Sequence, residues 1–380
     1  MKVGVVGAGI FGLSSGLELA RRGHRVTVFD RQLPPAEDAA STDRTKALRF
    51  EYGSECPLYV PLVAEARERY RALGAGWNRP LYVETGVLAL AARFDESRHE
   101  WRSHNYLVEH GWPVEVWTPE EARSRFPQFS YEGIAVVTWN AQGGYVRAAE
   151  AVRASAKAVR EAGAVVVAPA RVAGVEEDER EARVLLAGTV ERFSFDAVLV
   201  CAGAWFRTLV AAPADFVRST RQYVTYYRPP ADSAARFHPP AFPVWMHDLA
   251  DSGWYGMPLE DGLLKVARHH PGEAADPDRP RQVTDADRAE SRGFVARHLP
   301  AIAPDWYAED RGCLYAMTDD GHFVVDRVPG RGRTFAAGGG SGHGFKLGPA
   351  VGRLAADLIE NGVPPVAAFR FDAVRTGHVA

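Results

Sequence analysis

The chain has 380 residues, enough for two domains or for one large α/β unit carrying an insertion, and its 46% hydrophobic and 24% charged content is that of an ordinary globular protein. A formal charge of −3 gives no electrostatic reason to expect nucleic acid or an anionic membrane as partner, and no apolar run approaches the ~20 residues of a membrane span. Cys56, Cys201 and Cys313 are widely spaced and form no zinc or disulfide pattern, and Met1 leads straight into the first predicted strand with no room for a signal peptide, so a reducing, cytoplasmic setting is expected.

Val3 to Val6 is a short apolar run bounded by glycines and reads as a buried parallel strand. It feeds Gly7-Ala8-Gly9-Ile10-Phe11-Gly12, the G-x-G-x-x-G pattern, and then a helix closed by Arg21, Arg22 and Gly23. A second strand, 25–29, ends on Asp30. Gly7 permits the tight turn, Gly9 lets backbone approach a pyrophosphate, and Gly12 lets the helix pack close to the strand. The free N–H groups and positive end of the helix dipole then face the phosphates. Asp30 is placed to accept hydrogen bonds from an adenosine ribose, which argues against a 2′-phosphate and favours FAD or NAD. The motif alone does not choose between those two.

Residues 31–43 are polar, Pro- and Ala-rich and without periodicity. A loop of that length beside a dinucleotide site wraps the ligand, and the basic run Arg44-Thr45-Lys46 to Arg49 follows it. Helices are predicted over 57–74, 96–111 and 119–126, the last opened by the capping box Thr118-Pro119-Glu120-Glu121, and again over 146–162, 284–298 and 347–361. Strands are predicted over 81–92 (interrupted at Thr85-Gly86), 164–167, 171–175, 184–186, 193–200, 322–325 and 334–337, with a strand-rich, aromatic stretch from 221 to 318. The pattern predicts a discontinuous cofactor domain of residues 1–80, 145–220 and 320–380, and a substrate domain of residues 81–144 and 221–319. The 45 basic residues include only five lysines, Lys2, Lys46, Lys157, Lys265 and Lys346. In a chain so biased to arginine, each lysine is a candidate for chemistry that a compact ammonium does and a guanidinium does not.

These motifs resemble the D-amino-acid-oxidase superfamily, on the side of sarcosine, N-methyltryptophan and glycine oxidases. The resemblance is carried by Gly7-Ala8-Gly9 with Asp30, Arg49 with Tyr52-Gly53, and Thr85-Gly86-Val87-Leu88. It continues through Cys201-Ala202-Gly203-Ala204-Trp205, Tyr255-Gly256, Gly262-Leu263-Leu264-Lys265 and Ser341-Gly342-His343-Gly344-Phe345-Lys346. It implies an FAD-binding, Rossmann-like domain of the GR2 type with an α+β substrate domain built on a mixed, largely antiparallel sheet. It also implies oxidation of a C–N bond beside a carboxylate, with O2 reduced to hydrogen peroxide. Besides the motif residues it assigns to the cofactor Arg31, Ser41, Thr42, Arg44, Thr45 and Lys46, then Val172, Ala202, Gly203 and Trp205, then Gly340, Gly342, His343, Gly344, Phe345 and Lys346. Arg49 and Lys346 match the pair that holds the substrate carboxylate, with Tyr255 as a pocket wall and His269 as an active-site histidine.

Lys265 matches the lysine that promotes reaction with O2. A fixed cation stabilises nascent superoxide by about 4 kcal/mol at ~4 Å and an effective dielectric of ~20, on the order of a thousandfold in rate. Lys46 stands where the family has an arginine. Cys313, with Tyr315 and His322-Phe323, matches a cysteine linked covalently to the flavin. The Arg- and Ala-rich composition resembles that of GC-rich actinomycetes, whose glycine-oxidase-like flavoenzymes release glyoxylate from N-carboxymethyl β-amino acids in macrolactam synthesis. The expected substrate is glycine or an N-substituted glycine, with sarcosine, another N-methyl amino acid or a D-amino acid as the alternative, acted on by a monomer or small homo-oligomer. The lysine at 265 favours an oxidase over a carrier-linked dehydrogenase or a flavin-binding protein without catalysis.

Overall fold

The structure, a computed structural model, describes residues 1–210, 216–249 and 251–372. The first strand, Lys2–Val6, pairs in parallel with Arg25–Phe29 on one side and Ala197–Val200 on the other. Its residues from Val3 onward are buried, as expected of a parallel strand covered on both faces. Val165–Val167 extends the sheet beyond Arg25–Phe29, Thr334–Gly338 lies parallel to Ala197–Val200, and Val324–Arg327 closes that edge antiparallel. This six-stranded sheet thus takes strands from the start, the middle and the last fifth of the chain. The helix Ile10–Arg21 crosses it, packed against Ala148–Glu161 and Gly348–Asn361. A Cβ on Gly12 would stand 1.8 Å from the Gly7 carbonyl oxygen, so only glycine admits this helix to this turn.

The second body is a nine-stranded, mostly antiparallel sheet. Arg218–Tyr227 runs between Tyr307–Met317 and Leu263–Arg268, with Tyr226 directly opposite Lys265. Glu273–Ala274, beside Arg218–Tyr227, and Trp254–Glu260, Val244–His247, Val87–Ala91, Val136–Asn140 and Val114–Trp117 complete it, with one parallel contact between Val244–His247 and Val87–Ala91. A three-stranded sheet of Thr45–Leu48, Gly144–Arg147 and Tyr82–Glu84 lies between the two bodies in sequence and supplies Lys46. The fold is α/β with a discontinuous dinucleotide-type sheet.

Several predicted elements divide. The run 193–200 is two strands, broken at Asp196. Arg192–Phe195 joins the antiparallel sheet of Val172–Glu177 and Ala182–Leu186, and Ala197–Val200 enters the parallel one. Asp196 makes the break by pairing with Lys2: its N–H donates to the Lys2 carbonyl, and its carboxylate accepts the Lys2 N–H at 2.7 Å. The 81–92 run is interrupted at Thr85-Gly86 as expected, because the Thr85 and Gly86 N–H groups both donate to the Gly143 carbonyl. The helix predicted from 146 begins at Ala148, since Gly144–Arg147 is taken up as a strand. The helix predicted from 96 begins at His99, after Asp95 accepts the Ser97 N–H in a turn. The strand predicted at 322–325 is Val324–Arg327, the His322 N–H being taken by Asp320. The Thr118 capping box is formed, and Thr284 makes a second one ahead of Asp285–His298. Among the described residues no helix is long and apolar enough to cross a membrane, and no cluster of His, Cys, Asp or Glu is placed to hold a metal.

Candidate active site

A cavity of about 490 Å³ opens at the C-terminal ends of the parallel strands. Gly7, Gly9, Ile10 and Phe11 line one side, and Gly338 to Gly340, Gly342, Gly344 and Phe345 another. Gly9 caps the first helix without a side-chain bond, and the Ile10 N–H donates to Ser41 Oγ at 3.0 Å. Asp30 lines the cavity and accepts the Ala8 N–H at 2.6 Å and the Gln32 N–H at 3.0 Å. These bonds aim the carboxylate and leave each oxygen further acceptor capacity. Arg31, Val172, Ala202, Gly203 and Trp205 line the same space, with the Arg31 guanidinium 3.7 Å from the Trp205 ring centroid. An open helix N-terminus, an aimed carboxylate and a glycine wall are the parts that a dinucleotide requires, and these residues fit one.

Ala8, Gly12, Thr42, Arg44, Thr45 and Cys313 do not line this cavity. Gly12 acts through packing. Thr42 donates to the Ala36 carbonyl, Arg44 pairs with Glu309 at 2.9 Å, and Thr45 turns its carbonyl to Lys265. Cys313 is buried, which pushes its thiol up. His343 and Lys346 face a second, smaller cavity of about 60 Å³ with Lys46, Arg49, Tyr255 and His269. Lys46, Gly342 and Phe345 line both cavities. Gly342 holds that seam open: its φ is +78°, and a Cβ there would meet the Tyr315 ring at 2.5 Å and His269 Cε1 at 2.7 Å.

The smaller cavity is charged at one end and apolar at the other. Arg49 and Lys346 are both buried, with the Arg49 guanidinium 4.9 Å and the Lys346 ammonium 5.0 Å from the Tyr52 ring centroid. Burial, reinforced by Arg49, drives Lys346 well below the usual lysine range. Burial, with Arg49 and Lys346 adding to it, pushes His269 down to about 3, so its imidazole is neutral. His343 is neutral too: its Nε2–H donates to the Gly321 carbonyl at 2.9 Å, and Nδ1 accepts from the Tyr52 hydroxyl at 3.2 Å. Two cations converging on an enclosed space form an anion site. The apolar end is made by Val244, Trp245, Met246, Leu249 and Met257.

Lys265 lines neither cavity. It is buried behind Lys46, where its ammonium donates to Asp43 at 2.6 Å and to the Thr45 carbonyl at 3.1 Å. Asp43 also pairs with Lys46 at 3.1 Å and accepts the Tyr226 hydroxyl. Sequence reasoning missed Asp43, although it closes the long polar loop immediately before the basic run, where a lone acid marks a counterion. It missed the aliphatic wall as well, because Val244, Met246, Leu249 and Met257 carry no pattern apart from that of a buried sheet.

The family described as DAO, FAD dependent oxidoreductase, matches residues 2–358. An N-methyl-L-tryptophan oxidase from Yersinia pestis is 29% identical over 375 residues, 98% of each chain. Among solved structures, a glycine oxidase from Geobacillus kaustophilus superposes with a TM-score of 0.80 at 23% identity, covering 99% of this chain and 98% of that one. An L-proline dehydrogenase from P. horikoshii superposes with a TM-score of 0.83 at 21% identity, covering 97% and 96%. At those identities the two structures speak to the fold alone. With the match spanning nearly the whole chain and its cavity fitted to a dinucleotide, the protein belongs to the DAO family of FAD-dependent oxidoreductases.

Proposed function

We propose that this protein, an FAD-dependent amine oxidase of the DAO family, oxidises the C–N bond of glycine or an N-substituted glycine, N-carboxymethyl β-amino acids among them. The products are glyoxylate and the free amine, with O2 reduced to hydrogen peroxide. Bound FAD supplies a two-electron acceptor that O2 regenerates. Loss of two hydrogens from the N–CH2 unit leaves an imine, and addition of water to that carbon releases the amine and the aldehyde. The observation that carries the reading is the smaller cavity, where Arg49 and Lys346 stand at one end and Val244, Met246, Leu249 and Met257 at the other.

Arg49 and Lys346 hold the carboxylate, and the aliphatic wall receives an apolar group on the nitrogen. A guanidinium forks to a carboxylate and an ammonium adds a point charge, which together fix the α-carbon. His269, held neutral, serves as a hydrogen-bond partner of the amine; at about 3 it is too weak a base to keep a proton at neutral pH. The relative named for an N-methyl amino acid supports an N-substituted amino acid. Lys265 acts in oxygen reduction through the charge cluster it forms with Asp43 and Lys46, of which Lys46 lines both cavities, and Cys313 forms the covalent link to the flavin.

An anaerobic bleaching screen over glycine, sarcosine, D-amino acids and N-carboxymethyl β-amino acids of several chain lengths tests the substrate. Bleaching is expected to be fastest with apolar N-substituents, and bleaching by D-amino acids alone would overturn the reading. Dye reduction without O2 uptake would move the protein to the dehydrogenases. For Cys313, acid precipitation is expected to leave the yellow colour in the pellet. Complete release to the supernatant would refute the link.

A further inference from the structure

Asp43 ends the long loop after the second strand, and its side chain is 3% exposed. Four donors converge on it. Lys265 Nζ at 2.6 Å and Lys46 Nζ at 3.1 Å reach Oδ2, while the Tyr226 hydroxyl and the Arg44 N–H, at 2.7 Å, reach Oδ1. The side-chain donors come from three strands: Lys46 from Thr45–Leu48, Tyr226 from Arg218–Tyr227 and Lys265 from Leu263–Arg268. An unpaired ammonium in such a place is costly. Two ammonium groups on one carboxylate leave one excess positive charge, and Lys46 carries it to the wall common to both cavities.

Glu309, opposite Tyr226 on the neighbouring strand, is paired with Arg44 at 2.9 Å. Cys313 and Arg311 come from the strand behind the cluster, Tyr226, Tyr255 and Tyr315 from the sides, and Arg44 from the loop. Burial pushes the Cys313 thiol and the three phenols up, so all four are neutral. Burial alone would raise Asp43, but Lys265 and Lys46 pull it well below the usual carboxylate range. Burial lowers Lys46, Asp43 opposes that, and Lys265 reinforces it.

We propose that Asp43 is the positioning residue of this centre: it compensates one of two ammonium charges, holds Lys265 behind Lys46, and leaves the ammonium pair with one excess positive charge between the cofactor and substrate cavities. The role is independent of which amine is oxidised. It concerns how much positive charge stands beside the flavin, as well as where that charge is held.

The test uses the FAD-loaded protein and sulfite, an anion that bleaches oxidised flavin on binding, so activity is not read. Dissociation constants are measured from about pH 6 to about pH 9, and the ratio of variant to wild type removes sulfite's own titration. D43N exposes the second cation. It is expected to bind sulfite roughly tenfold tighter at the acid end, with the ratio returning towards one as a lysine sheds its proton. D43N/K265M restores the charge count and is expected to hold the ratio within about twofold throughout, with most of the lost Tm regained. Y226F removes a hydrogen bond to Asp43 without changing charge, so it should lower Tm and leave the ratio flat. A flat ratio in D43N would overturn the proposal, as would a Y226F profile like that of D43N or a double variant less stable than D43N alone. If D43N yields no folded holoenzyme, recovery of yellow protein in D43N/K265M supports compensation, and failure of both overturns it.

Discussion

Lys346 and Arg49 both line the smaller cavity, and the cost of holding two cations there falls on the one that can lose its proton. Burial and then Arg49 drive Lys346 well below the usual lysine range, which favours its neutral form. A carboxylate ligand raises that pKa again, and binding then takes up a proton. Calorimetry of a simple carboxylate in two buffers of different ionisation enthalpy should show net uptake. K346M should abolish the uptake and weaken binding by about 2 kcal/mol, roughly thirtyfold; unchanged uptake would exclude Lys346 as the responding group. Residues of this kind stood out in the sequence because lysine is scarce: the structure buries Lys265 and Lys346, half-buries Lys46 on the wall common to both cavities, and leaves Lys157 paired with Glu161 on the surface. Asp43 was not legible. Its partner Lys265 is 222 residues away, and nothing local to a carboxylate says which distant strand will bring a cation to it.

Elements whose signals are local were read closely. The glycine turn with its helix and the Thr118 capping box depend on contacts within a few residues, and the structure forms both. Elements decided by their neighbours were not. The apolar run 193–200 looks like one strand, and only the pairing of Asp196 with Lys2 shows that its halves serve different sheets. The first helix offers the test at this scale. G12A places a methyl 1.8 Å from the Gly7 carbonyl, where backbone must give way. The variant should lose at least ~2 kcal/mol of stability and retain little FAD after gel filtration, as read by the flavin-to-protein absorbance ratio. G23A, where a Cβ meets nothing within 4 Å, changes a glycine of the same motif region and should keep its FAD despite the strain of its +86° φ.

The whole molecule carries a buried histidine set that opposes acid. Burial, then Arg49, pushes His99 down to about 3, burial with His298 pushes His247 to about 4, and His269 lies at about 3. Each binds a proton more readily unfolded, where its pKa is ~6.5, so the stability it contributes is full above ~6.5 and is lost as pH falls towards the folded values. Urea unfolding at about pH 5 should therefore give a lower stability than at about pH 7, on the order of 1–2 kcal/mol for each histidine. Equal midpoints would mean that these rings are not buried as described. Only the six-stranded sheet sets when the cofactor cavity can exist at all. Lys2–Val6 is made well before Ala197–Val200, and Thr334–Gly338 later still, yet its sheet needs both. During synthesis the glycine turn thus emerges long before its facing wall, Gly338 to Phe345, has been translated. Capture of FAD must therefore follow translation of Phe345, and the nascent chain has to survive without the vitamin-derived cofactor until then.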